Sequence, residues 1–493
     1  MRRVSTRVLP LPGPARIQSG AAGVVTASRC ASSRSPSRWA TSASRPAAAS
    51  LKGSASPGES PPPTIPEVTE APRRRRLLPC RPDGPASGAE GDDGVSDRYD
   101  VVVVGAGIVG LATARALTAR LPGAALGVIE KEPAVATHQS GHNSGVLHTG
   151  LYYTPGSLRA RLCVAGHRAM TEFCQEAGLP FRAGGKVVVA TSEAQVPRLD
   201  ELQRRGALNG VQGLRRVGPE ELRELEPHAS GVAALAVPQA AAVDFAAVAR
   251  HIAAGLAAEV GTDAPLEAVE VAAEGVRLHA GGRSWQARLV LNCAGLHSDR
   301  VARLAGASPE VRIVPFRGEY YRLSEQAASL CRSLIYPVPD PAFPFLGVHF
   351  TRRVDGTVEV GPNAVLALGR EHYRDRSPNL ADVAEMLRFG GFWRLVARHW
   401  RAGSAEFWRS RIRRVYARSA RALVPEVRGA DLLAGGAGVR AQAVGADGRL
   451  LDDFCIQESP GFVHVLNAPS PAATASLAIG DHLADLAVRR LLA

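Results

Sequence analysis

The 493-residue chain has no run of about eighteen apolar residues, the length a helix needs to cross a bilayer. Its most alanine-rich stretch, "AALAVPQAAAVDFAAVARHIAAGLAAEV", is broken by Pro238, Asp244, Arg250 and His251, so no transmembrane helix is expected. Cysteine is sparse. Its seven positions (30, 80, 163, 174, 293, 331 and 455) form no CxxC and no disulfide-like spacing, which fits a reducing compartment and small apolar packing roles. No His/Cys/Asp group has a metal-ligand spacing, so no metal is expected. No internal repeat is visible. Acidic residues are missing from one region, the N-terminus. Residues 1–82 carry 14 Lys/Arg against 3 Asp/Glu, so 11 of the net +13 charges sit there. The remainder is near neutral and offers no basic face for nucleic acid, which is not an expected partner.

The first acid in the chain is Glu59, and the residues before it are rich in Arg, Ser, Ala and Pro without an apolar signal core. This is the composition of a mitochondrial transit peptide, assigned to residues 1–52. Residues 53–97, with "SPPPTIP", "RRRR" and "GAEGDDG", read as a disordered spacer. An unstructured terminus with no address has the same composition and stays open.

After this leader the pattern changes. In "YDVVVVGAGIVGLATARALTARLPGAALGVIEKE" the run Val101–Val104 suits a parallel strand buried on both faces. Gly105, Gly107 and Gly110 follow in G-x-G-x-x-G spacing. The first allows a tight turn, the second lets a pyrophosphate approach the backbone, and the third lets helix and strand pack closely. A helix is expected from Ile108 to Ala119, with its N-terminal amides toward the phosphates. A second strand, "ALGVIE", ends at Glu130, placed for ribose hydroxyls and against a 2′-phosphate; Lys131 follows it. Such a unit expects a dinucleotide, NAD or FAD.

The next passage, "HQSGHNSGVLHTGLYY", has neither helical nor strand periodicity. A polar, glycine-rich loop directly after the ribose-binding strand can wrap an extended cofactor, with Asn143, Ser144 and Gly145 along it. Together with "VPFRGEYYRL", "VGPNAVLAL", "GGAGVRAQ" and "VLNAPSPAATASLAIG", in that order, it resembles the L-2-hydroxyglutarate dehydrogenase family. That family lies within the FAD-dependent superfamily of D-amino-acid oxidase and glycerol-3-phosphate dehydrogenase. The resemblance covers residue 98 to the C-terminus. It implies FAD as cofactor, a turn at Ala294–Gly295 and a loop at Ser470 beside it, and oxidation of L-2-hydroxyglutarate to 2-oxoglutarate, with electrons passed to an acceptor such as a membrane quinone.

The expected fold is α/β (α+β overall). A Rossmann-type FAD-binding domain (98–185, 240–315 and 425–493) is interleaved with a mixed-sheet substrate domain (186–239 and 316–424). "VDFAAVARHIAAGLAAEVG" reads as a helix capped by Asp244 and ended near Gly261. "GGKVVVAT", "VRIVPFRGEYYRL", "FPFLGVHFTRR" and "GTVEVGP" read as strands of the second sheet.

Oxidising a 2-hydroxy acid requires a grip on a carboxylate, for which the planar fork of Arg is suited, and a base of near-neutral pKa, most often His. It also requires an α-carbon positioned to give hydride to flavin N5. The candidates are His148 or His349 as base, Arg440 or Arg317 for the carboxylate, and Tyr321, with Tyr320 beside it, as a further contact. His142 reads as a turn residue. The segment "GGFWRLVARHWRAGSAEFWRSRIRRVYARSARALVPEV" combines tryptophans with arginines and suits either a peripheral membrane surface or a solvated helix with a packed aromatic side. Two rival readings remain at this stage: an amine or amino-acid oxidase, and a non-catalytic flavoprotein assembly factor of the respiratory chain.

Overall fold

The structure, a computed structural model, describes residues 97–340 and 347–492. The expected transit segment 1–52 and all of the spacer 53–97 before its last residue lie outside the described residues.

The strand Asp97–Val104 sits inside an eight-stranded sheet, parallel to Arg283–Asn292 on one side and Leu126–Ile129 on the other. Val101 and Val103 point into a core shared with helices Ile108–Arg120, Phe245–Ala254 and Ala472–Leu492. Val102 and Val104 point to the opposite face, among Trp285, Leu278 and Val301. Alternate residues of a strand face opposite ways, so a strand covered on both faces needs an unbroken apolar run. Burying each of these valines contributes about 1.5–3 kcal/mol. Phe462–Asn467 returns late in the chain to lie parallel to Arg283–Asn292.

The helix after Asp244 is shorter than its sequence pattern suggests. Asp244 caps it, accepting the amides of Ala246 and Ala247, but it ends at Ala254. Gly255 stops the helix, and Glu259–Gly261 instead pairs parallel with Gly127–Ile129 at the sheet edge. Edge pairing overrides the helical propensity of the Ala-rich sequence there.

The second sheet has nine strands and is mixed. Lys186–Ala190 runs parallel to Leu334–Pro337, while the remaining pairs are antiparallel. Its longest pairing joins Val311–Leu323 to Leu432–Gly445 across almost their full lengths. This sheet therefore takes in Leu432–Gly445 and the start of Val311–Leu323, besides strands from 186–239 and 316–424. A three-stranded sheet of Val146–Leu147, Phe181–Ala183 and Ala241–Val243 completes the β structure.

Candidate active site

One elongated cavity of about 860 Å³ is lined from both large sheets, from Glu130 at one end to Arg440 and His349 at the other. Gly105 and Gly107 line it directly. Gly105 takes a positive φ of 104°, the left-handed region that glycine tolerates. Gly110 does not line the cavity. A Cβ there would stand 1.9 Å from the Gly105 carbonyl oxygen, so the third glycine lets the helix press onto the turn. A Cβ at Gly107 would meet only the Ser140 hydroxyl, at 3.3 Å.

Glu130 is 8 % exposed, and its carboxylate accepts the amides of Ala106 (2.8 Å) and Glu132 (3.1 Å). These bonds fix the carboxylate at the cavity wall. Lys131 also lines the cavity, with its ammonium paired to Glu132 and, at 2.7 Å, to Glu371. Glu132, His138 and Glu371 lie close enough together to resemble a metal site, but Lys131 already supplies the cation among them.

The glycine-rich loop is closed on itself. The Asn143 amide donates to the carbonyls of Gln139 and Ser140 and accepts the Gly145 amide at 2.9 Å. Asn143 and Ser144 line the cavity, whereas Gly145 does not. Gly145 (φ 67°) bonds Val243 at 2.7 Å and turns the chain into Val146–Leu147, so its role is to shape the backbone, not to line the site. Ser140, which the sequence reading passed over, accepts the Ile108 amide at 2.9 Å and ties this loop to the start of the first helix. Ala294, Gly295 and Ser470 line the cavity.

At the other end, strand alternation decides which side chains enter. Phe316 is opposite Arg440 and Gly318 opposite Gly438, and directly paired residues share a sheet face. Gly318, Tyr320, Gly438 and Arg440 line the cavity. Arg317 and Tyr321 do not, which corrects their place among the expected site residues. Arg317 is opposite Val439 rather than Arg440. It instead donates to the carbonyls of His372 and Asp375 and pairs with Glu319, fastening the 372–376 loop. Tyr321 packs against Tyr416, ring centroids 4.6 Å apart.

His349 is 4 % exposed and stacks on Tyr336, with centroids 3.9 Å apart. Its Nδ1 pairs with the Gly347 carbonyl at 2.9 Å, which makes Nδ1 the donor and leaves Nε2 as the acceptor. Burial pushes the imidazole down to about 3, so the ring is neutral at physiological pH. His148 lines the cavity, and burial likewise holds it well below the usual histidine range. Its amide bonds Thr474 Oγ1, while its Nδ1 has no partner among the described residues. Arg440 lies deep in the same end, its pKa lowered by burial and supported by Tyr320 and Tyr336. His142 also lines the cavity, stacked on Tyr373 at 4.1 Å.

Tyr152 and Tyr336 were not singled out from the sequence, yet both line this end. Tyr152 lies in the quoted "GLYY", and Tyr336 faces the cavity from its place on Leu334–Pro337.

This geometry coincides with a family assignment. The FAD-dependent oxidoreductase (DAO) family matches residues 100–486. The chain is 46% identical over 396 residues to the L-2-hydroxyglutarate dehydrogenase of Indibacter alkaliphilus, covering 80% of this chain and 99% of that protein. The chain belongs to the L-2-hydroxyglutarate dehydrogenases, a family of FAD-dependent oxidoreductases. The human protein of that name, described as mitochondrial, is 41% identical over 407 residues, covering 78% of this chain and 88% of its own. Among solved structures, the dithionite-reduced, FAD-bound L-α-glycerophosphate oxidase of Mycoplasma pneumoniae superposes with a TM-score of 0.66 at 22% identity. It covers 80% of this chain and 95% of its own, and it shares the fold. FAD is the cofactor of this family, and the cavity suits it: a glycine turn open to the backbone, an acid fixed at the strand end, and length enough to reach both sheets.

Proposed function

We propose that this chain oxidises L-2-hydroxyglutarate to 2-oxoglutarate. The observation that carries this reading is a half-buried arginine, Arg440, in one cavity end with two neutral imidazoles and the hydroxyl-bearing Tyr152, Tyr320 and Tyr336. The 41–46% identity to L-2-hydroxyglutarate dehydrogenases supports the same substrate.

Gly105, Gly107 and the start of the first helix would hold the pyrophosphate, and Glu130 the ribose, with Lys131 beside it. Asn143, Ser144, Ala294, Gly295 and Ser470 would follow the cofactor toward the reacting end. When bound, FAD supplies the acceptor for the two electrons and the hydrogen leaving the α-carbon. Arg440 grips the carboxylate next to that carbon with its planar fork and fixes the hydroxyl's position. His349 Nε2 takes the hydroxyl proton as the C–H bond breaks and the C=O bond forms; His148 is the second candidate for that role. Burial keeps this imidazole neutral, and it also makes it a weaker base than the near-neutral group this proton transfer favours. Anaerobic addition of L-2-hydroxyglutarate should bleach the yellow flavin band. Bleaching by an amino acid instead would favour an amine oxidase, and bleaching by neither a non-catalytic flavoprotein.

The acceptor we propose is a membrane quinone, reached by peripheral attachment. The helix Gly390–Arg411 exposes Trp393 (54 %), Trp400 (58 %) and Trp408 (61 %) beside exposed Arg394, Arg398 and Arg401. Interfacial aromatics with arginines suit an anionic lipid surface. Among the described residues no helix is long and apolar enough to cross a membrane. Flotation with anionic vesicles tests the attachment, and protein left at the bottom of the gradient would refute it. A mitochondrial address is supported by the acid-poor leader and by the human relative's name. Cytosolic fluorescence of a reporter fusion would remove it.

A further inference from the structure

On the substrate side, three buried polar atoms have no hydrogen-bond partner among the described residues: Tyr152 Oη, His148 Nδ1 and Lys186 Nζ. Buried groups in native proteins are almost always paired, so a cluster of exceptions requires a reason. Tyr152 and His148 line the cavity, while Lys186 stands one layer behind it. Lys186 opens the strand Lys186–Ala190 and is only 3 % exposed. Its ammonium sits over two ring faces, 4.5 Å from the Tyr152 centroid and 5.0 Å from that of Tyr336. Cations are attracted to such faces, but ring faces do not replace the hydrogen bonds water would make. Lysine is seldom fully buried unless paired. A methionine of similar length would fill this place without an unsatisfied charge, so packing alone does not account for lysine here.

The two rings that cover Lys186 form part of the cavity wall next to His349 and His148. L-2-Hydroxyglutarate brings two carboxylates, and Arg440 accounts for one. We propose that Lys186 is a positioning residue that makes the tyrosine-lined end select a second carboxylate. Its positive field, acting through Tyr152 and Tyr336, draws the distal carboxylate of a 2-hydroxy dicarboxylate toward the wall these two rings form. This rests on the reaction proposed above and adds the source of its selectivity. The groups around the ammonium are the Tyr152 and Tyr336 phenols, the Cys163 thiol, and the His148 and His349 imidazoles, which feel its charge. Burial brings Lys186 down to about 7. The charged form therefore persists below that pH and is lost above it.

The test compares the FAD-loaded wild type with Lys186→Met and Lys186→Gln, using L-2-hydroxyglutarate and the monocarboxylate L-2-hydroxybutyrate. In both variants the ratio of kcat/KM for the dicarboxylate over the monocarboxylate should fall roughly tenfold or more, chiefly through KM for the dicarboxylate. The wild-type kcat/KM for the dicarboxylate should decline above about pH 7, and this limb should vanish in Lys186→Met. Lys186→Met should also melt at a higher temperature than wild type, because it removes an unpaired buried charge. A structural lysine would give the opposite: a lower melting temperature, an unchanged substrate ratio and an unchanged pH limb, and that result overturns the proposal. If neither acid bleaches the wild-type flavin, the reaction itself is wrong and this inference falls with it.

Discussion

The two ends of the cavity are built differently. At the nucleotide end three polar side chains are already occupied within the protein: Glu130 by two amides, Ser140 by Ile108, and Asn143 by three groups of its own loop. At the substrate end, Tyr152 Oη and His148 Nδ1 have no partner among the described residues, and the buried His349 and half-buried Arg440 line the same end. The first end is a rigid mould whose shape comes from backbone and glycine. The second leaves the desolvation of those two atoms, Tyr152 Oη and His148 Nδ1, uncompensated by the described residues. Substitutions should therefore act on folding and cofactor retention at one end and on turnover at the other.

The largest effect should come from Gly110→Val, whose Cβ would stand 1.9 Å from backbone oxygen. No soluble flavoprotein should be recovered, as judged by expression and circular dichroism. Gly107→Val meets only a side-chain hydroxyl at 3.3 Å. That variant should keep its circular dichroism spectrum but purify colourless, since its side chain occupies the pyrophosphate's approach. A yellow Gly107→Val protein would break the contrast at its nucleotide end.

At the substrate end, His349→Ala should lower kcat/KM by about 10²–10⁴-fold with flavin retained, partly recovered at high pH where the substrate hydroxyl ionises more readily. His148→Ala should lose less, because His349 has its tautomer set by Gly347 and His148 does not. A larger loss in His148→Ala would exchange the two roles. The smallest effect is a flat one. Protonation disables a basic imidazole, so activity is lost as pH falls through its pKa. Burial holds that of His349 near 3. The kcat/KM profile should accordingly show no loss from pH 7 to 5.5, where an unperturbed histidine would already cost about tenfold, and at most the roughly twofold gain that charging of Lys186 brings.

The nucleotide end was legible in the sequence because its signals are local: a β-branched run, three glycines at fixed spacing, and an acid at the next strand's end. The same locality explains the one overextended helix, where the Ala-rich pattern continued past Gly255 into a strand defined only by its neighbour. The substrate end depends on register between segments more than a hundred residues apart. Arg317 and Arg440 looked equivalent as carboxylate ligands, although "FRGEYY" read by strand alternation already separates Arg317 and Tyr321 from Gly318 and Tyr320. Only the pairing of Phe316 with Arg440 shows which set faces the cavity. Nothing local in the sequence distinguishes Gly145, a glycine that turns the chain, from a glycine that admits a ligand. Lys186 went unnoticed at the head of an apolar strand, since its burial depends on Tyr152 and Tyr336 arriving from elsewhere.

Those two arginines offer the most direct measurement: the anaerobic rate of flavin reduction by L-2-hydroxyglutarate, followed by stopped flow in Arg440→Ala and Arg317→Ala side by side. Losing a buried partner of a substrate carboxylate costs on the order of 2–5 kcal/mol, so Arg440→Ala should fall roughly thirtyfold or more in kcat/KM with its flavin in place. Arg317→Ala loosens the 372–376 loop and should lower the melting temperature while reducing its flavin at close to the wild-type rate. A normal rate in Arg440→Ala, or a collapse confined to Arg317→Ala, would contradict the assignment of this cavity end.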